Sequence, residues 1–265
     1  MIIFDSARIA QHKKRASAAP ELFLLREMLA EIAGRLSDIK RSFPQAIALG
    51  TQGLMAEAAP DIRWFYHEEG EALPFSEESV DLVVSANLHW VNDVPGVLSQ
   101  IKRILKPDGL FLAILPGGET LTELRQSFEA AELAHSGGIS PRVSPFIDIR
   151  DGGALLQRAG FALPVADSFK LMLEYENAFS LMQDLRGMGE TNALTESRKH
   201  FTSRTLMAGM AAYYAAHFSG EDGRIPATIE LLVLTGWRPH ASQQQPARRG
   251  SGQVSLRVLG DETGD

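Results

Sequence analysis

The sequence predicts an α/β fold: a mostly parallel sheet with helices on its faces. Three observations predict it. Short apolar runs at 46–49, 79–85 and 110–115 alternate with helical patterns and turn signals. The first run ends in Gly50-Thr51-Gln52-Gly53, a glycine turn at the end of a buried strand. Between the later runs, Val97, Leu98, Ile101 and Ile104 recur at helical spacing. A chain of 265 residues, 45% hydrophobic, suits one such domain with elaborations or a small cap.

The elements follow in order. Leu22, Leu25, Met28, Leu29, Ile32 and Leu36 mark an amphipathic helix over 21–39, with Pro20 and Glu21 at its start and Phe43-Pro44 beyond its end. Ala46-Ile47-Ala48-Leu49 is a buried strand. Residues 54–59 allow a turn or two of helix before Pro60. A second strand is predicted at 62–66 and a third, rich in β-branched residues, at 79–85. The helix over 94–105 stops at Lys106-Pro107-Asp108-Gly109, and 110–115 is the fourth strand. Helices are predicted at 120–134, 151–159, 178–187 and 202–218, with strands at 161–174 and 227–236. This divides the chain into an N-terminal helical segment (1–45), an α/β domain (46–240) and a glycine-bearing loose tail (241–265).

Composition excludes several functions. Net charge is -7 and the pI about 5.6, so no global basic field favours nucleic acid. The chain lacks cysteine, which removes disulfides, thiolate metal sites and a cysteine nucleophile. No apolar run approaches the ~20 residues of a membrane span. The opening Met1-Ile2-Ile3-Phe4-Asp5 has no signal-peptide core, so a cytoplasmic protein is expected. The seven histidines show no metal-ligand spacing, and no metal is expected.

Leu73-Pro74-Phe75, Val80-Asp81-Leu82-Val83 and Leu105-Lys106-Pro107-Asp108-Gly109-Leu110-Phe111 occur in the order and spacing of class I S-adenosylmethionine-dependent methyltransferases, which the chain therefore resembles. A narrower resemblance rests on Leu88-His89-Trp90-Val91-Asn92-Asp93, Gly117-Gly118-Glu119-Thr120-Leu121, Ser140-Pro141-Arg142-Val143-Ser144-Pro145-Phe146, Gly187-Met188-Gly189-Glu190-Thr191-Asn192 and Gly236-Trp237. These look like the family of respiratory complex I assembly factor 5 and its bacterial relatives, with biotin-synthesis methyltransferases more distant. The resemblance implies a Rossmann-like sandwich with an antiparallel final strand, a helical cap from about 119–150 and 176–218, and S-adenosylmethionine as cofactor. It also implies a protein substrate or a complex I subunit as partner. Bacterial members are described as methyltransferases, and the mitochondrial relative as a protein-arginine hydroxylase; fold alone does not choose between them.

Aligned with the methyltransferase turn, Gly50 and Gly53 match the first and third glycines and are the expected cofactor contacts. Ala48 stands where an acid is usual and Gln52 where the second glycine is usual. Only residues 54–72 separate Gly53 from Leu73, whereas a helix-strand-helix unit takes on the order of 30 residues. The strand at 62–66 then resembles the third strand of such folds, and a sheet lacking the second strand is predicted. Glu69 falls where the family faces adenine; the alternative is a solvated loop of Glu68, Glu69 and Glu71. The acid that grips the ribose is either absent or supplied by Glu57, Asp61 or Glu68. Losing it would weaken binding by ~1.5–3 kcal/mol.

Asn87, Leu88 and His89 follow a strand at the carboxyl edge, where ligands bind in open α/β sheets. Asn87 and Leu88 are further cofactor candidates. His89 is the candidate catalytic residue, as base or substrate orienter, or else it packs the loop with Trp90. Glu119 reads as a substrate contact or a helix cap, and Arg125 and Arg142 as partners of acids or of a bound carboxylate. Residues 187–192 read as a lid loop or a helix C-cap. Three functions follow: a methyltransferase-like enzyme with an eroded cofactor site, an arginine hydroxylase in complex I assembly, or a non-catalytic partner-binding protein. A second copy covering the exposed sheet edge would make a homodimer.

Overall fold

Alternation along each strand decides the architecture. Ala46 and Ala48 pack on one face of the sheet while Ile47 and Leu49 pack on the other. Leu110, Leu112 and Ile114 oppose Phe111, Ala113 and Leu115 in the same way. Both faces are therefore buried, which is why these strands read as unbroken apolar runs rather than alternating ones. A computed structural model describes residues 2–244, other than Glu69 and Lys199. The tail expected at 241–265 thus lies, from residue 245 onward, outside the described residues.

The strands are β1 (Ala46–Leu49), β2 (Trp64–His67), β3 (Val80–Ser85), β4 (Leu105–Pro116), β5 (Ala162–Tyr175) and β6 (Ile225–Trp237). They form one six-stranded sheet in the order β2-β1-β3-β4-β6-β5. The first four are parallel, and β6 runs antiparallel to both β4 and β5. The α/β class, the mostly parallel sheet and the antiparallel final strand all match expectation.

The helices are α1 (Ser6–Ala16), α2 (Phe23–Asp38), α3 (Met55–Ala58), α4 (Val94–Ile104), α5 (Thr122–Ser136), α6 (Ile149–Ala159), α7 (Ala178–Gly187) and α8 (Arg204–Phe218). Helices α2, α5, α7 and α8 cover one face, through side chains such as Ile32, Phe128, Leu181 and Met210; α4 and α6 cover the other through Ile101 and Leu156.

The sheet is one strand short at the β2 edge, and which strand is absent differs from the reading at 62–66. β2 hydrogen-bonds directly to β1, pairing Ala46 with Trp64 through Leu49 with His67. In doubly wound folds that place belongs to the second strand, so the outermost position is the one left out. Residues 50–63 suffice for this parallel crossover because α3 is a single turn. Its backbone is tied to the strand, with Ala56 N donating to Tyr66 Oη at 3.0 Å and Trp64 Nε1 donating to the Ala59 carbonyl at 3.0 Å.

The helix α1 was not expected over 6–16. Its N-cap is Asp5, whose carboxylate accepts from Arg8 N at 3.1 Å. Only Ile9 and Ala16 of this helix are buried, so it carries almost no apolar stripe.

Candidate active site

The carboxyl ends of β1, β3 and β4 open into a cleft of about 950 Å³. Its floor holds Gly50, Gln52, Glu68, Ala86 and Asn87; α1, the start of α2 and residues 187–190 form its roof. This is the switch-point edge where open α/β sheets bind ligands.

The turn after β1 is held in left-handed backbone at Gly50 (φ 66°), Gln52 (φ 51°) and Gly53 (φ 77°). Gly50 is forced by packing: a Cβ there would lie 2.3 Å from Asn87 Cβ. Gln52 adopts the left-handed region with its side chain exposed, at a cost of roughly 1–2 kcal/mol. Its N–H, aimed inward by that conformation, donates to Glu68 Oε2 at 3.1 Å. The departure from glycine at position 52 therefore does not plug the turn. The neighbouring Thr51 is fully buried, and its hydroxyl has no hydrogen-bond partner.

The three ribose-acid candidates lie in different surroundings. Glu57 pairs with Arg26 and is exposed. Asp61 lies before the amino end of β2, beside the end of α2 and away from the cleft. Glu68 follows β2 directly, beside the glycine turn, with one carboxylate oxygen on Gln52 N and the other, Oε1, buried without a partner. Glu71 is spent locally, accepting from Asn92 N and Asp93 N. Glu69, the expected adenine contact, lies outside the described residues.

Asn87 lines the cleft and accepts from Ser85 Oγ at 3.1 Å. Leu88 does not line it. It sits in the first turn of a 3₁₀ helix (Leu88–Trp90) that aims its side chain into the apolar core on the α4 face.

His89 has a partner that sequence could not name. Its Nε2 lies 3.1 Å from Glu190 Oε2, and Trp90 Nε1 donates to both oxygens of the same carboxylate at 3.1 and 3.0 Å. The His89 side chain is 6% exposed and its Nδ1 is buried without a partner. His89 lines the cleft, but its Nε2 is engaged by Glu190 and its Nδ1 is buried, so in this geometry the ring positions Glu190. Burial pushes the Glu190 carboxyl up, but His89, Trp90 and Lys13 outweigh it, and the net shift is below the ordinary carboxylate range.

The loop carrying Glu190 is a helix C-cap. Gly189 is left-handed (φ 80°), and Glu190 N donates to the Leu185 carbonyl at 2.9 Å. Its glycines also admit close neighbours: a Cβ on Gly187 would meet Glu21 Cβ at 3.0 Å, and one on Gly189 would meet Lys13 Cα at 3.4 Å. The N-terminal residues complete this roof. Asp5 N donates to the Ala193 carbonyl, Phe4 pairs with Leu194, and Asn92 Oδ1 accepts from Ile3 N and Phe4 N.

Other polar candidates are structural. Glu119 neither caps α5 nor faces the cleft; it pairs with Lys170 at 2.6 Å on the surface. Arg125 donates to the Gly118 and Thr120 carbonyls. Arg142 pairs at 2.6 Å with Glu132, whose side chain is 1% exposed and also accepts from Ser140 N and Oγ. Burial raises the Glu132 carboxyl, but Ser140 and Arg142 more than offset it and leave it depressed. A depressed folded pKa stabilises above the unfolded value and is lost as pH falls through the folded one. The melting midpoint should therefore be flat above about pH 5–6 and fall below about pH 4, with a shallower fall in Glu132→Gln. Thermal scans across pH give the comparison; parallel acid limbs would contradict it.

Residues missed from sequence are Lys13, Lys14 and Arg15, which line the cleft from α1. The signal available was Asp5 as an N-cap with basic residues eight to ten positions on, the mark of a helix end.

Residues 44–113 match the methyltransferase domain family. The human protein named arginine-hydroxylase NDUFAF5, mitochondrial, is 40% identical over 97% of this chain and 83% of its own. Its Danio rerio counterpart is 36% identical over 98% and 90%. A malonyl-[acyl-carrier protein] O-methyltransferase of Xylella fastidiosa (strain M23) is 31% identical over 89% and 83%. Among solved structures, a candidate methyltransferase from Bacillus halodurans C-125 superposes with a TM-score of 0.52 at 15% identity, covering 80% of this chain and 99% of the other. At that identity the likeness speaks for the fold alone.

Proposed function

Because the chain belongs to the family of the arginine-hydroxylase NDUFAF5, we propose that it is an S-adenosylmethionine-binding enzyme that modifies an arginine of a protein partner in respiratory complex I assembly. The chain is a methyltransferase-like protein, and S-adenosylmethionine is the cofactor expected of its domain. The residues of the cleft fit that group. Glu68 would take the ribose hydroxyls, the turn from Gly50 to Gly53 and Asn87 would border the methionine portion, and Lys13, Lys14 or Arg15 would meet its carboxylate. When bound, the cofactor supplies an activated methyl group.

The observation that carries this reading is Glu68 Oε1, a buried carboxylate oxygen with no partner beside a glycine turn. A charged group is not left so unless something completes it. Isothermal calorimetry with S-adenosylmethionine and its demethylated product tests it. Glu68→Ala should weaken both by ~1.5–3 kcal/mol, about tenfold to a hundredfold. Absence of heat with the unaltered protein at millimolar ligand would sink the cofactor reading and favour a non-catalytic, partner-binding protein.

Two outcomes at the arginine are distinguished by mass spectrometry of the partner: a gain of one CH₂ for methyl transfer from S-adenosylmethionine, or of one oxygen for hydroxylation, which would draw that atom from dioxygen, with a two-electron reductant taking its second oxygen to water, and not from S-adenosylmethionine. The higher identity to the arginine-hydroxylases than to the O-methyltransferase favours the second.

A further inference from the structure

Behind the cleft lies a second, smaller cavity of about 240 Å³. Its walls come from α5, α7 and α8, through apolar side chains such as Leu124, Phe128, Leu185 and Met207. Leu24, Trp90, Pro116, Met188 and Glu190 border both cavities, so they form the partition between them. Of these five, Glu190 alone carries charge.

That carboxylate is built in rather than incidental. Two donors from the 3₁₀ turn after β3, the His89 ring and the Trp90 indole, fix its plane, and a glycine-capped helix end sets its backbone. Its side chain remains 30% exposed, so it is not sealed by those partners. Beyond His89, no other cation forms an ion pair with it among the described residues. Arg142 is committed to Glu132. Arg186 also lines the chamber but is itself exposed, and Lys13 lies on the cleft side; neither is within ion-pair distance of Glu190.

A mainly apolar chamber with a fixed carboxylate at its border with the cofactor cleft suits one kind of guest: an aliphatic stem with a cationic, planar head. We infer that the chamber is the acceptor site and that Glu190 is the residue selecting a guanidinium side chain, with His89 and Trp90 as its positioning residues. This rests on the arginine-directed reading above and adds to it the group that recognises the substrate. A planar head with several donors can meet a carboxylate whose orientation is fixed, whereas an isosteric neutral head would leave the Glu190 charge unpaired.

The test uses the full chain and two small probes, Nα-acetylarginine amide and its citrulline counterpart, titrated by NMR with and without S-adenosylhomocysteine. The arginine probe should bind, and the citrulline probe at least tenfold more weakly. Glu190→Gln should lose about tenfold to a hundredfold of arginine-probe affinity and lose the preference over citrulline, a larger fall than any change in S-adenosylhomocysteine affinity. His89→Phe and Trp90→Phe should shrink the arginine-to-citrulline ratio, which a purely structural role would leave alone; His89→Gln, which keeps a donor, should restore part of it. No arginine-probe binding, equal binding of the two probes, or an unaffected Glu190→Gln would overturn the assignment. Failure of the cofactor reading appears separately, as absence of S-adenosylhomocysteine binding while the arginine probe still discriminates.

Discussion

Arg142→Ala is expected to cost about 3–5 kcal/mol of folding stability, the range for stranding one partner of a buried ion pair. The partner is Glu132, whose side chain is 1% exposed. Arg142 donates to its Oε1 through Nε at 2.8 Å and Nη2 at 2.6 Å, stacks on the Phe128 ring and donates to Thr202 Oγ1. Removing the guanidinium takes away all of these together. Ser140 still donates to the carboxylate, and Arg198, 3.6 Å away but 43% exposed, supplies a weaker charge, so the lower half of the range is the better expectation. Urea unfolding reads the loss directly, and the melting midpoint should drop by roughly 10 °C. Arg142→Lys keeps the charge without the fork and should recover only part. A change below about 1 kcal/mol would mean the pair is hydrated in solution. By contrast, disrupting the exposed Lys170–Glu119 pair should leave stability unaltered.

The second large effect is expected from Gly50→Ala. The left-handed φ of 66° costs an alanine roughly 1–2 kcal/mol, and the new Cβ, 2.3 Å from Asn87 Cβ, forces a shift worth about 1–3 kcal/mol more. Asn87 cannot retreat freely, because Ser85 holds its amide and Leu88 anchors the next residue in the core. The strain therefore passes into the cleft floor, and cofactor affinity should fall together with stability. Gly53→Ala is the control: its φ is also left-handed, but nothing lies within 4 Å of the added Cβ. It should show the backbone cost alone, and equal losses at the two positions would show that contact with Asn87 does not matter.

The sheet was legible because its strands are buried on both faces and bounded by glycine and proline signals. The gap after Gly53 was legible as arithmetic. What arithmetic could not show is where the surviving strand goes, since Trp64–His67 pairs with β1 through backbone groups any sequence would supply. The same limit hid the site. Glu57, Asp61, Glu68 and Glu71 look alike in the sequence and differ only in what they meet in space. His89 and Glu190 belong to segments far apart in the chain, and nothing local to either names the other. The helix α1 escaped because its polar surface lies over the cleft, leaving too little apolar periodicity to register.

That roof has a consequence for how the protein acquires its activity. The strands of the floor are joined by short crossovers and can pair early. The roof joins residues 3–5 to residues 193–195, about 190 positions apart in the chain, around a small cluster of Phe4, Ile9, Trp90, Ala193 and Leu194. Contacts this distant in sequence are made late, because loop-closure entropy must be met before they contribute. Resting on so small a cluster, they also open at the least cost. The roof is therefore expected to open without unfolding of the sheet, which hydrogen exchange would read as weaker amide protection at residues 3–5 and 193–195 than in β1, β3 and β4.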